Sequence, residues 1–205
     1  MLEHDDWKIM RPNVVVSDVK AEWFMGDNSK QLIGAWTQAL GTVVVAIGST
    51  PSLPIHTSGR RGLGVIGNVL QATGNGLEAE SQRKLTYGKL GNIIQATGNI
   101  TVTTGLAIDF PTDTGERLVI SGDLIQALGA VTALGSANRS YVVIGNSLQA
   151  IGNSLQAFGG VRILKENAHT MWQPGDGNEF LIAKGSWIQA FGAILLAIGL
   201  TSEWT

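Results

Sequence analysis

Glycine recurs every seven residues in six separate stretches of this chain, and that spacing constrains the fold more than any other feature. The series are Gly34, Gly41 and Gly48; Gly67 and Gly74; Gly91, Gly98 and Gly105; Gly122 and Gly129; Gly145, Gly152 and Gly159; and Gly185, Gly192 and Gly199. Ser81 and Ser136 take the third place in the two shorter series. In a strand, an odd period sends successive residues to opposite faces, whereas seven residues of α-helix fall only about 20° short of two turns. The glycines therefore form a stripe along a helix. Three positions after each first glycine come Thr37, Leu70, Ile94, Ile125, Leu148 and Ile188, so glycine and this residue occupy the two seam positions of a heptad. An interior glycine costs a helix about 1 kcal/mol relative to Ala. Accepting that cost repeatedly is expected where small residues let two backbones approach closely.

Four positions after each first glycine stands a glutamine followed by Ala: Gln38, Gln71, Gln95, Gln126, Gln149 and Gln189. That offset puts Gln about 40° from the glycine stripe, at the edge of the close contact. Two readings are open, a half-exposed polar position or a hydrogen bond between helices. The second is favoured, because Glu or Lys would solvate an exposed position better. Asn153, about 100° round the helix from Gly152, is expected to lie off the seam and to tolerate Ala.

The first glycines, at 34, 67, 91, 122, 145 and 185, are separated by steps of 33, 24, 31, 23 and 40 residues. Long and short steps alternate, so a two-helix unit recurs about three times, with tight turns near Tyr87-Gly88 and Ser136-Ala137-Asn138. The expected organisation is an N-terminal arm over residues 1–27 and a repeat domain over 28–205. Its six double-heptad copies lie at about 30–50, 62–84, 87–108, 117–137, 140–164 and 179–202. The fold class is all-α, with about six glycine-rich helices in antiparallel hairpins. A β-solenoid or fibre-forming β repeat is the alternative, suggested by Asn and Gln ladders and by the strand-like Ile100-Thr-Val-Thr-Thr104. The first and last copies differ from the inner four in carrying Trp36 and Trp187 and in being apolar nearly all round. They are expected at the centre of the bundle, paired with each other, or against lipid.

The string Gln31-Leu-Ile-Gly-Ala-Trp-Thr-Gln-Ala-Leu-Gly-Thr-Val-Val-Val-Ala-Ile-Gly-Ser-Thr-Pro51, with the Gly-Asn-x-Leu-Gln-Ala repeats after it, resembles repetitive proteins of spore-forming Firmicutes. The resemblance covers roughly residues 30 to 200 and implies a bacterial origin and spore association, with no activity, cofactor or catalytic residue attached.

Charged residues are only 15% of the chain, against roughly 25% in a usual soluble domain, which favours association or membrane contact. With net charge −2 and no basic run longer than Arg60-Arg61, nucleic acid is not expected as a partner. The absence of cysteine removes thiolate catalysis and thiolate metal sites. Gly62-Leu-Gly64-Val-Ile-Gly67 matches a dinucleotide-binding pattern, but a loop rather than a strand precedes it, and Gly67 belongs to the heptad. The histidines His4, His56 and His169 stand in three separate segments, and the carboxylates cluster in loops. No enzyme, cofactor or metal is therefore expected. The N-terminal segment is acidic and lacks the apolar core of a signal peptide, giving a cytoplasmic expectation, with the membrane surface as the other location. The functional expectation is a structural protein that associates with itself into a homo-oligomer, filament or sheet through its glycine seams. The alternative is a membrane-associating or pore-type protein.

Overall fold

The computed structural model describes residues 26–169 and 177–203. Most of the expected N-terminal arm, with His4, lies outside the described residues, as does most of the loop after residue 169. The described residues form six α-helices: α1 Asp27–Ser49, α2 Thr57–Glu80, α3 Tyr87–Ala107, α4 Thr114–Ala133, α5 Ser140–His169 and α6 Asn178–Ser202. A short 3-10 turn, Leu134–Ser136, extends α4. The described residues are organised as helices throughout, as the period of seven requires. The β alternative fails, since the described residues contain no strand. Within the strand-like run, Thr101, Thr103 and Thr104 turn their hydroxyls back onto the carbonyls of Thr97, Asn99 and Ile100, each four residues earlier. Those bonds satisfy the hydroxyls inside a helix despite the β-branched side chains.

Helix ends are closed by specific side chains. Thr86 caps α3 by accepting from the Lys89 backbone N–H at 3.0 Å. At the other end of the molecule, Arg60 gathers the carbonyls of Gly48, Thr50, Pro51, Leu53 and Ile55, at 2.7–3.1 Å. The guanidinium thereby satisfies the C-terminus of α1 and the loop beyond it, where the helix dipole favours a cation. Gly177, with φ 80°, opens α6 in a conformation that favours glycine.

Each helix packs against its neighbours in the chain, and α6 returns to pack on α1. No pair of helices facing across the ring packs backbone to backbone. The six helices therefore form a closed antiparallel ring around a central axis. Three seams are far tighter than the others. A methyl group added at Gly41 would lie 2.6 Å from the Gly67 carbonyl oxygen, and one at Gly67 would lie 2.7 Å from that of Gly41. Gly98 and Gly122, and Gly152 and Gly185, face each other in the same reciprocal way at 2.5–2.7 Å. These seams join α1 to α2, α3 to α4 and α5 to α6, across the longer connections rather than the short turns. Between the pairs, glycines face side chains instead: a methyl added at Gly64 would lie 2.8 Å from Leu106, and one at Gly160 would lie 2.8 Å from Ile120. The ring is thus three glycine-locked hairpins set side by side.

The first and last copies close it. Ala35 and Ala39 of α1 bury against Ala193, Ala197 and Leu200 of α6. Pairing with each other, one of the three placements expected for these copies, is present in the ring.

Candidate functional site: a polar lumen

Within each heptad, direction from the glycine sorts the side chains. Residues one and four places after a seam glycine lie about 100° and 40° round the helix, and residues two and six places after it lie about 200° and 240° round. The first pair turns toward the axis and the second away from the ring. The regular copy Gly152-Asn-Ser-Leu-Gln-Ala-Phe158 shows the result, with Asn153 and Gln156 buried and Ser154 and Phe158 exposed. Asn153 is therefore not the tolerant off-seam position expected from its offset, because the ring has an inside as well as a seam.

The interior is polar and the exterior apolar. The largest side chains that are almost fully enclosed are Gln71, Gln149, Asn75, Asn99, Asn153, Thr42 and Ser186. Phe191, by contrast, is 62% exposed, Leu128 59% and Leu40 57%. This inverts the distribution of a water-soluble domain. Chain charge follows the same logic. The helices carry their charged residues near their ends, and the shortest uncharged stretch between them, Gly62–Leu77 of α2, runs sixteen residues or about 24 Å. Asp123 of α4 is the exception. Ion pairs sit at the two rims: Lys30–Glu80 and Arg83–Asp27, each 2.6 Å, and Arg139–Glu203 at one end, Arg61–Asp109 at the other.

All six sequence-identified glutamines meet on the axis. A helical side chain leans toward its own N-terminus, so the odd and even helices of an antiparallel ring send theirs in opposite directions. Two layers result. In one, Gln38 Nε2 donates to Gln149 Oε1 at 2.9 Å and approaches Gln95 Oε1 at 3.5 Å. In the other, Gln189 Nε2 donates to Gln71 Oε1 at 2.9 Å and to Gln126 Oε1 at 3.2 Å. Gln156 joins the second layer, donating to Gln189 Oε1 and accepting from the Ser186 hydroxyl, both at 2.9 Å. Each layer takes one glutamine from each hairpin.

Chambers lie on either side of this double layer. One, of about 290 Å³, is reached past Glu78, Arg139 and Glu203, with Gln38, Gln95 and Gln149 at its base. The other, of about 590 Å³, lies on the Arg60 side and is based on Gln71, Gln126 and Gln189. Between and beside the layers, both polar atoms of Asn75 and Asn99, Nδ2 of Asn153 and Nε2 of Gln149 find no hydrogen-bond partner within the protein.

The remaining sequence candidates fall elsewhere. Gly62, Gly64 and Gly67 lie inside α2, where Gly67 faces Gly41 and no phosphate-binding turn forms. His56 precedes α2 and His169 ends α5. Trp36 and Trp187 lie on the outer surface where α1 meets α6. Sequence reasoning missed the inward row of Asn68, Asn92, Asn146, Asn75, Asn99 and Asn153, together with Asp123 and Ser186. The signal was present, since each follows a heptad glycine directly.

The architecture defines a class, a closed six-helix ring with an apolar outside and an amide-lined axis. A model of a family of unknown function, DUF6944, matches residues 29–197, and the chain belongs to that family. No curated protein and no solved structure matches it.

Proposed function

We propose that this protein is a membrane-embedded pore or transporter for small polar solutes, with the glutamine double layer as its gate. The observation that carries this reading is the inverted polarity of the ring. Buried amides line the axis, and apolar side chains cover the outside of all six helices between two charged rims. Three helical spans, Asp27–Ser49, Thr114–Ser136 and Asn178–Ser202, are long and apolar enough to cross a membrane by themselves. The other three helices are more polar because they carry the inward Asn and Gln residues. In a ring those residues face the axis, so their outer faces suit lipid as well. Glycine seams support the same reading, since membrane helices associate through close backbone packing. Amides without protein partners are satisfied by water in a hydrated path.

Self-association into a structural assembly, the first expectation from the low charge, is less well supported. Apolar positions recur around the whole circumference, whereas one subunit interface covers a single sector. Lipid covers all of it at once. On this reading the protein resides in a membrane rather than in the cytoplasm.

The test is reconstitution into liposomes loaded with a self-quenching dye and challenged osmotically with urea, glycerol and KCl. Co-flotation with lipid and faster entry of at least one solute than in empty liposomes support the proposal. Protein that stays in the aqueous fraction after detergent removal overturns it, whether monomeric or multimeric. So does protein that floats with lipid but leaves all three entry rates unchanged.

A further inference from the structure

The two chambers are not alike, and the larger one has the chemistry of a ligand site. Its volume, about 590 Å³, falls in the range of small-molecule pockets, roughly 300–1,000 Å³. Aliphatic side chains supply much of its wall, among them Val45, Val119, Ile120, Ile163 and Ile182. Three carboxylates line it, Asp109, Glu116 and Asp123, and of these Asp123 is the buried one. Asp123 is 8% exposed and has no hydrogen-bond or ion-pair partner among the described residues. The nearby cations are engaged elsewhere, Arg60 with its five carbonyls and Arg61 with Asp109 and the Leu106 carbonyl. Glu116, also on the chamber wall, adds a further negative group.

Asp123 is also not needed by the repeat. The corresponding places on α2 and α6, directly after a seam glycine, hold Asn68 and Ser186. Asn68 donates to the Gly64 carbonyl, and Ser186 bonds to Ile182 and Gln156. Both are neutral, and each is bonded within the protein. A lone carboxylate buried beside aliphatic side chains is costly to keep ionised, and an accompanying cation relieves that cost without protonating it.

We infer that this chamber binds an organic monocation, an ammonium group carried on a short hydrocarbon body. The ammonium pairs with Asp123, and the body lies against the valine and isoleucine walls. A divalent metal is a poorer fit, because such ions take several oxygen ligands, and no group of three His, Asp or Glu converges among the described residues. The inference rests on the reading of the lumen as a solute path, since it requires entry from the Arg60 end.

The test is calorimetric titration of the full chain in nanodiscs with butylammonium, 1-butanol and butyrate, three probes of similar size and different charge. Empty nanodiscs provide the partitioning blank. The expected result is at least tenfold tighter binding of butylammonium than of either isostere. Asp123→Asn should reduce butylammonium to the level of butanol. Equal affinity for the three probes, or undiminished butylammonium binding by Asp123→Asn, overturns the inference. Should that variant not fold, Val119→Trp, which fills the chamber from its wall, should abolish butylammonium binding, and retention of binding overturns the site. Flux plays no part in this readout. A protein that binds butylammonium but conducts nothing keeps the site and loses the pore; one that conducts without discriminating among the probes keeps the pore and loses the site.

Discussion

Gln189 Nε2 reaches Gln71 Oε1 at 2.9 Å across 118 residues of sequence, joining the last helix of the ring to the second through the axis. Gln189 also donates to Gln126 and accepts from Gln156, so one side chain ties together four helices. Gln189→Leu keeps the volume and removes all three bonds. Buried amides left without partners cost about 1–3 kcal/mol each. Thermal unfolding in detergent should show a clear fall in Tm, with solute entry into liposomes reduced by the apolar plug. Gln189→Ala should lower Tm as well, but the gap it leaves in the layer should raise solute entry. Variants that move entry in the same direction would remove the gate from this layer.

The hairpin seams make a contrast between glycines testable. A methyl at Gly152 would lie 2.5 Å from the Gly185 carbonyl oxygen and 2.6 Å from the Gln189 backbone nitrogen, and both belong to a rigid helix. A methyl at Gly76, in the last turns of α2, would meet nothing within 4 Å. Gly152→Ala should therefore destabilise by about 1–3 kcal/mol through overpacking. Gly76→Ala should stabilise by up to about 1 kcal/mol, the helix propensity difference. Denaturation midpoints that are equal for the two variants would contradict the seam geometry.

The ring closes through a reciprocal pair. Trp36 Nε1 donates to Thr201 Oγ1, and Trp187 Nε1 donates to Thr50 Oγ1, each at 3.0 Å. Each indole leans toward its own N-terminus and so reaches the partner helix near its C-terminal end. Trp36→Phe and Trp187→Phe each remove one bond and should each cost about 0.5–1.5 kcal/mol. The two contacts share no residue, so the double variant should show the sum of the single effects. A double variant much worse than that sum would indicate that opening one contact releases the other.

Much of this ring was legible in the period of seven. Glycine spacing gave the helices, and the stepped spacing of first glycines gave a two-helix unit recurring three times, although the tight seams lie across the longer connections and not at the short turns. Gln at a fixed offset gave the interhelical bond. What the period could not convey was which side of the stripe faces the axis of the ring. A heptad such as Gly145-Asn-Ser-Leu-Gln-Ala-Ile151 invites the reading that Asn and Gln solvate a surface while Leu and Ile build a core. Six helices closed into a ring reverse that assignment, because polar residues one and four places after glycine meet at the axis. Closure itself depends on α1 meeting α6, a contact between ends of the sequence that no local pattern encodes. Asp123 was hidden for the same reason, as a carboxylate in a helix reads as solvated until the helix has an inside.

The outer surface gives the plainest discrimination between lipid and water. Phe191, 62% exposed, lies two residues from the glutamine layer, near the middle of the ring's height. A lysine at such a place is nearly free in water, where an exposed apolar residue has no packing to lose. At the centre of a bilayer it costs about 2.5–3.5 kcal/mol on insertion scales. Phe191→Lys should therefore leave the fold intact in aqueous detergent, where micelles are thin and deformable, and weaken insertion into liposomes severalfold. Phe180→Lys, placed five residues before the nearest seam glycine and beside the charged residues Glu179 and Lys184, should insert nearly as well as the unaltered chain, because its ammonium reaches the rim. Flotation of the two variants with lipid vesicles decides the matter. Equal flotation would mean that the apolar belt does not face hydrocarbon at the height of the glutamines, whereas a deficit confined to Phe191→Lys places that height within the bilayer.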